Sequence, residues 1–151
     1  MLRAATNSDI DTLCDLGARM ASESPEWSGM GYSAEKVGAM LRSLIGSPRG
    51  FVMVAERDGR VCGAMIAAAS EHWGCDCLIA FELALYVEPG SRGAVTGLQL
   101  IKSYRDWVVR IGARRGMAGV TTGIHTERTA VIYERAGARR LGVLFDVVGG
   151  A

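Results

Sequence analysis

A strand-like run that leads into a glycine-containing loop gives this sequence its clearest candidate for an anion-binding site. The apolar run ends at Val87, residues 88–93 form the loop, and a long helical pattern begins at about Val95. Helix N-termini leave backbone N–H groups without partners, and the helix dipole adds partial positive charge there. Arg92 adds a permanent cation suited to phosphate. The segment predicts either an anion-binding site or an ordinary turn between a strand and a helix.

Glu82 is a candidate general base because it is the one acidic residue in an otherwise apolar strand-like run, Leu78–Val87. Charged residues are rarely placed in such runs without a partner or a role. Strict strand alternation puts Glu82 on one face with Ala84 and Tyr86. A carboxylate there can accept a proton in catalysis, or it can lie at a solvent-facing edge of a sheet.

The two histidines, His72 and His125, could also contribute to a site. An imidazole has a pKa of about 6.5, so His125 could act as a base near neutral pH or serve a structural hydrogen bond. The pattern His72-x-x-Cys75-x-Cys77 is not followed by the second pair of ligands typical of a zinc site. We therefore predict that the protein holds no metal.

Composition and charge narrow the classes of protein that could hold these residues. The chain has 151 residues, 49% of them hydrophobic, with 17 basic and 16 acidic side chains. This length predicts one domain spanning residues 1–151, and the charge balance argues against nucleic-acid binding. No signal-peptide pattern and no apolar run of about 18 residues occurs, so we expect a cytoplasmic protein without a membrane segment. In that compartment the four cysteines are expected to be reduced.

The elements that must position these residues follow from hydrophobic periodicity. Apolar residues at helical spacing alternate with short strand-like runs, and Asp58-Gly59 between two such runs predicts a hairpin. The predicted strands are Leu2–Ala5, Phe51–Glu56, Val61–Ala69, Cys77–Val87, Met117–Thr122 and Ala138–Val148. The predicted helices follow Thr6, begin at Ser33 and cover about Val95–Gly112 and Thr126–Ala136. The order β-α-α-β-β-β-α-β-α-β predicts an α/β (α+β) domain with a mixed sheet.

Two segments, in this order of elements, resemble the motifs of the GCN5-related N-acetyltransferases. The strand end Val87-Glu88-Pro89 is similar to the family's Val-x-Pro. The segment from Arg92 to Gly97 is similar to the family's loop Arg/Gln-x-x-Gly-x-Gly/Ala, with Val95 in place of the middle glycine.

The second segment, Thr126–Ala138, is similar to the family's pattern Asn-x-x-Ala-x-x-x-Tyr-x-x-x-Gly-Phe. Tyr133 and Gly137 fall in place, whereas Thr126, Thr129 and Ala138 depart from the pattern. Together with the element order, the resemblance extends over about residues 1–148.

The resemblance implies a mostly antiparallel central sheet with flanking helices, and acetyl transfer from acetyl-CoA to an amine by direct attack in a ternary complex. It implies Tyr133 as the acid for the leaving thiolate, since a phenol of pKa about 10 can donate a proton. Glu82, on the strand that lines the site, is the implied base, acting directly or through water. A backbone amide of Leu85 or Tyr86 is implied to stabilise the oxyanion. The implied cofactor-binding residues are Leu85, Tyr86, Val87, Arg92, Gly93, Ala94, Val95, Thr96, Gly97, Thr126 and Thr129.

The resemblance leaves the acceptor open between a small-molecule amine and a protein amine. Trp27, Tyr32, His72 and His125 are the candidate substrate-binding residues. Dimers are common in the family, so a homodimer is an expected assembly, and neither nucleic acid nor membrane is expected as a partner. The departure at Val95 and those in the second segment also allow an alternative, a CoA-binding module without catalysis that acts in sensing or protein interaction.

Overall fold

The chain folds into a sheet of five strands with helices on both faces. The computed structural model describes residues 1–149. In chain order the elements are β1 (Leu2–Ala4), α1 (Ile10–Glu23), α2 (Ala34–Leu44), β2 (Gly50–Arg57), β3 (Arg60–Glu71), β4 (Leu78–Val87), α3 (Ala94–Arg110), β5 (Arg115–Met117) and α4 (Thr126–Arg135). Short 3₁₀ turns at Asn7–Asp9 and Pro89–Ser91 precede α1 and α3.

The strands lie in the order β1-β2-β3-β4-β5. All neighbouring pairs are antiparallel except β4 and β5, which are parallel. The predicted hairpin joins β2 to β3, and its turn residues Asp58 and Gly59 have φ angles of 52° and 73°. Positive φ at both positions is what a tight two-residue hairpin requires, which explains the Asp-Gly pair. The predicted fold class, a mixed and mostly antiparallel sheet with flanking helices, is confirmed.

Each face of the sheet has its own hydrophobic core. On one face α1 and α2 contribute Leu13 and Leu41, which pack with Val54 of β2. On the other face α3 contributes Leu100, which packs in a core with Met65 of β3 and also with residues of α4. Each side chain on β4 therefore lies either on the face that α1 and α2 cover or on the face that α3 and α4 cover.

A β-bulge in β4 decides which core each of its side chains meets. The pairing between β3 and β4 shifts, so that Glu82 lies opposite Ala67 and Ala84 lies opposite Ile66. Leu83 is therefore an extra residue between the two paired positions, as in a β-bulge. One inserted residue reverses the alternation of side chains along a strand.

The bulge makes the predicted facing of Glu82 wrong. Residues opposite one another on paired strands share a face, and Ala67 belongs to the core that α3 and α4 cover. Tyr86 belongs to the core that α1 and α2 cover. Glu82 therefore lies on the α3 and α4 side, and not on the face of Ala84 and Tyr86 as strict alternation predicts.

The C-terminal part of the sheet is smaller than the sequence predicts. The predicted strand Met117–Thr122 is replaced by β5, which covers Arg115–Met117 and is exposed. The predicted strand Ala138–Val148 is wrong, since residues 138–149 contain no strand and their large apolar side chains are exposed. A β-prone segment becomes a strand only when a neighbouring strand pairs with it, and the three residues of β5 pair with β4. Residues 150–151 lie outside the described part of the chain.

The prediction of four reduced cysteines is wrong for one pair. Cys75 and Cys77, in the loop between β3 and β4, are joined by a disulfide, whereas Cys14 and Cys62 are free and buried. The loop turns back between the paired residues and brings their Cα atoms to 5.4 Å, a separation that a disulfide can bridge. Within residues 1–149 no group of three His, Cys, Asp or Glu side chains is placed to hold a metal ion. None of the described helices is long and apolar enough to cross a membrane.

Candidate active site

A cleft of about 480 Å³ opens where the parallel strands β4 and β5 separate. These strands pair only through Ile79–Phe81 and Arg115–Met117. Beyond that stretch, residues 82–87 of β4 form one wall and residues 119–125 form the other. The N-terminal part of α3, one face of α4 and two residues near the end of α1, Met20 and Trp27, complete the lining.

The backbone of β4 presents polar groups to this cleft because no strand pairs with it there. The N–H of Glu88 donates to the carbonyl of Cys62 on β3, whereas the carbonyl of Val87 accepts from Arg92 on the opposite side. Backbone groups alternate in direction along an extended strand. The backbone of Leu85 therefore points toward the cleft with that of Val87, and that of Tyr86 points toward β3. The sequence left two backbone amides, those of Leu85 and Tyr86, as candidate donors to the oxyanion. The direction of the backbone favours the amide of Leu85.

Glu82 is the first residue of β4 beyond the stretch paired with β5, and its carboxylate lines the cleft. Burial raises the pKa of the Glu82 carboxyl to about 7, and a hydrogen bond from the Gly119 amide opposes part of that rise. The Gly119 N–H lies 3.2 Å from Oε2 of Glu82. A carboxyl with this pKa is close to half ionised at neutral pH, which is the condition that favours a general base.

Tyr133 on α4 also lines the cleft, and it is buried. Its hydroxyl has no hydrogen-bond partner among the residues that the structure describes. Burial raises the pKa of Tyr133 well above its ordinary value, and the nearby groups of Glu82 and Tyr104 raise it further. An unpaired buried hydroxyl costs free energy, so this O–H is available to a ligand atom that can accept its hydrogen bond.

Arg92 lines the cleft, but its guanidinium is already engaged. Its two terminal nitrogens donate to the two carboxylate oxygens of Glu23, each at 2.6 Å, and its Nε donates to the carbonyl of Val87 at 2.8 Å. Tyr86 lies beneath the guanidinium, 5.4 Å from ring centroid to Cζ, and donates its hydroxyl hydrogen bond to Glu23. The ion pair lowers the pKa of the Glu23 carboxyl. Glu23 was not among the predicted residues, and the 69 positions between the partners explain why.

The loop predicted to bind an anion does begin a helix. Gly93 is the N-cap of α3 and provides no side-chain cap, so the first amides of the helix keep free N–H groups. Gly93 and Gly97 line the cleft. Val95, the departure from the family pattern, is 66% exposed and, like Thr96, is outside the cleft lining. The side chain of Val95 therefore does not occupy space in the cleft that a glycine at this position would leave open. Ala94 begins α3 directly after the cap.

The N-terminus of α4 forms the opposite rim of the cleft. Thr129 lines the cleft, whereas Thr126 is exposed outside its lining. His125, the N-cap of α4, has a left-handed backbone with φ of 48° and also lines the cleft. Arg128 lies in the lining as well, is exposed, and takes part in no ion pair within residues 1–149. The sequence prediction missed Arg128, although its position in the second motif could have identified it.

The predicted substrate-binding residues do not all come together. Trp27 lies at the cleft, and its indole N–H donates to the carbonyl of Thr121 at 3.1 Å. The Tyr32 hydroxyl instead donates to the carbonyl of Cys14 on α1. His72 is exposed in the loop between β3 and β4. Neither Tyr32 nor His72 lines the cleft.

Comparison with solved structures shows which proteins share this arrangement of elements. Glucosamine-6-phosphate N-acetyltransferase from Arabidopsis thaliana matches with a TM-score of 0.74 and 12% identity, over 97% of this chain and 95% of that chain. Aminoglycoside 6'-N-acetyltransferase from Acinetobacter haemolyticus matches with a TM-score of 0.72 and 12% identity, over 100% of this chain and 99% of that chain. An aminoglycoside acetyltransferase from an uncultured soil sample matches with a TM-score of 0.71 and 18% identity, over 99% of this chain and 98% of that chain.

Sequence comparison adds no closer relative, since no family model and no curated protein matches the chain. The structural matches extend over nearly the whole of each chain. The chain therefore has the fold of the GCN5-related N-acetyltransferases.

Proposed function

We propose that this protein is an N-acetyltransferase that moves the acetyl group of acetyl-CoA to an amine by direct attack. One observation carries the proposal: Glu82, with a pKa of about 7, and Tyr133, with an unpartnered hydroxyl, line the same cleft. These are a base and a proton donor of the kind that amide formation from a thioester needs. The shared fold of the acetyltransferases supports this reading.

The residues at one end of the cleft fit acetyl-CoA, which would supply the acetyl thioester. The free amides at the start of α3, between Gly93 and Gly97, suit the diphosphate because they donate hydrogen bonds beside a positive helix end. Arg128 offers a cation that no carboxylate neutralises within residues 1–149. The cleft-facing backbone of Val87 suits the amides of the pantetheine arm, and the Leu85 N–H suits the thioester oxygen.

Proton movement in this site begins at Glu82. An alkylammonium has a pKa of about 10.4 and must lose a proton before its nitrogen can attack. Glu82 accepts that proton, the nitrogen attacks the acetyl carbonyl carbon, and the Leu85 amide donates to the oxygen as negative charge builds there. The C–N bond forms and the C–S bond breaks, so that the sulfur leaves with the electron pair. The nitrogen releases its surplus proton as the amide forms, and this proton replaces the one that Tyr133 gives to the sulfur.

Tyr133 is placed to donate to that sulfur. Its raised pKa keeps the phenol protonated across the working pH range. The charge of Glu82 contributes to that raised pKa, and it disappears when Glu82 takes the proton of the amine. Tyr133 therefore becomes a better donor during the step in which the thiolate leaves.

Arg92→Ala is expected to weaken acetyl-CoA binding by about tenfold or more, the size expected for one charge-assisted hydrogen bond. Two N–H donors of the guanidinium remain after its three bonds, and the variant would also leave the carboxylate of Glu23 without a cation beside the proposed diphosphate site. Titration calorimetry with acetyl-CoA measures the change in Kd. Glu23→Gln is the matched control: it removes the negative charge and leaves Arg92, so binding should be equal or tighter. An unchanged Kd in Arg92→Ala would contradict a role for Arg92 toward phosphate.

The proposed function is tested by measuring binding and turnover together. Calorimetry should show saturable binding of acetyl-CoA, and a thiol-release assay should show turnover above background with at least one amine of a broad panel. Binding without turnover for any amine would contradict the enzyme and indicate a CoA-binding module. Absence of binding would overturn the cofactor assignment itself.

A further inference from the structure

The lining of the cleft includes several apolar and aromatic side chains and a single carboxylate. Among the described residues that line the cleft, Glu82 is the only acidic one. Glu23 lies close by, but both of its carboxylate oxygens are bonded to Arg92. The same lining includes the apolar side chains of Met20, Trp27, Leu83, Val120 and Ile124. The site can therefore neutralise one positive charge of an acceptor, and the rest of its surface suits apolar groups.

Trp27 forms a fixed surface in this wall. Its indole N–H is bonded to the carbonyl of Thr121, and its backbone N–H donates to Oγ of Ser24 at 3.1 Å. Ser24 is almost fully buried and donates to the carbonyl of Thr122. These bonds hold Trp27 at both its backbone and its indole edge, while the residue is 44% exposed and lines the cleft. A rigid aromatic ring with an open surface binds flat apolar groups at low entropic cost.

Trp27 and Glu82 are both bonded to the wall of the cleft that residues 119–125 form. Glu82 accepts from the amide of Gly119, and Trp27 donates to the carbonyl of Thr121. An amine with its nitrogen at Glu82 and an apolar group on Trp27 would therefore lie along this one wall.

We infer that the acceptor is a small primary amine with one positive charge and a flat apolar group. This inference rests on the proposed function and names the substrate class of the same site. A polycation would place further ammonium groups among apolar side chains and near Arg128, where the described lining offers no second free carboxylate. Charges left unpaired in this way weaken binding.

The experiment compares kcat/KM for three acceptors with acetyl-CoA as donor. The probes are 2-phenylethylamine, which has one charge and a flat ring, and spermidine and kanamycin A, which are polycations. We expect kcat/KM for 2-phenylethylamine to exceed that for either polycation by about tenfold or more, since each unpaired charge costs at least that factor. A higher kcat/KM for spermidine or kanamycin A overturns the acceptor class and leaves the proposed function standing. Acetyl-CoA binding with no acetylation of any amine overturns the proposed function and the inference with it.

Two variants test the role of Trp27 directly. Trp27→Ala should raise KM for 2-phenylethylamine by about tenfold, as expected for loss of an aromatic contact and its buried area. Trp27→Phe keeps a flat ring and should retain most of the affinity. The Kd for acetyl-CoA should stay unchanged in both variants, which shows that the fold and the cofactor end are intact. The same KM in the wild type and in both variants would contradict the packing of the acceptor on Trp27.

Discussion

Glu82→Gln is expected to lower kcat by roughly 10²–10⁴-fold, the usual contribution of a general base. Glutamine keeps the shape of the side chain and can still accept from the Gly119 amide, but it cannot take a proton from the attacking amine. Steady-state thiol release at saturating acetyl-CoA and amine measures the change. Calorimetry with acetyl-CoA serves as the control, because the Kd should be nearly unchanged.

The pH dependence of kcat separates a base from a residue that only shapes the cleft. Glu82 must be ionised to act, and its pKa is about 7, so the wild-type rate should rise as pH increases through 7 and then level off. The residual rate of Glu82→Gln should lack this rise. A variant that retains the same pH profile as the wild type would exclude Glu82 as the base.

The stability of the folded protein should also depend on pH through the Glu82 carboxyl, in a direction that follows from its raised pKa. The pKa of Glu82 is raised from 4.5 to about 7 in the folded protein, so the folded state favours the protonated carboxyl. That contribution to stability is fully present below pH 4.5 and is lost as pH rises through about 7. Relative to the wild type, Glu82→Gln should therefore gain in Tm at about pH 8 and show little gain at about pH 4.

Glu82 also shows where prediction from sequence succeeds and where it ends. A single acid in an apolar strand-like run is visible in the sequence, and the strand itself was predicted within one residue of its observed bounds. The face of that acid was not predictable, because it depends on the bulge at Leu83. A bulge is a property of how two strands pair, and no local pattern in β4 specifies it. The sequence therefore identified the residue but not the core it faces.

The segment around Arg92 shows the same difference between what local sequence patterns predict and what only the folded chain determines. The strand, loop and helix around Arg92 follow from local patterns and were predicted. The ion pair of Arg92 with Glu23 joins the end of α1 to the end of β4, and only the folded chain brings them together. The predicted strand Ala138–Val148 failed for a related reason: its composition favours a strand, but the segment pairs with no strand of the described sheet, and local composition does not show whether a segment will pair. Local elements were therefore more predictable from the sequence than contacts between distant residues.

Tyr133→Phe is expected to lower kcat by more than about tenfold, the low end of the range for a lost proton donor, with little change in Kd for acetyl-CoA. The variant removes only the hydroxyl, which has no partner among the described residues. Because replacing an unpaired buried polar group by an apolar one is neutral or stabilising, Tm should be equal to or above that of the wild type. Thiol release and thermal unfolding measure the two quantities.

Tyr104→Phe is the matched control, because it removes a buried tyrosine hydroxyl from the same core without touching the cleft lining. The Tyr104 hydroxyl donates to the carbonyl of Met117 at 2.9 Å, so its loss should cost about 1 kcal/mol of unfolding free energy. Its kcat should stay within a few-fold of the wild type. A catalytic role for Tyr133 thus predicts opposite outcomes for the two variants: Tyr133→Phe keeps stability and loses turnover, whereas Tyr104→Phe loses stability and keeps turnover. Equal turnover in Tyr133→Phe and wild type would exclude Tyr133 as the proton donor. A similar loss of turnover in Tyr133→Phe and Tyr104→Phe would indicate an effect on the shared core and not on the Tyr133 hydroxyl.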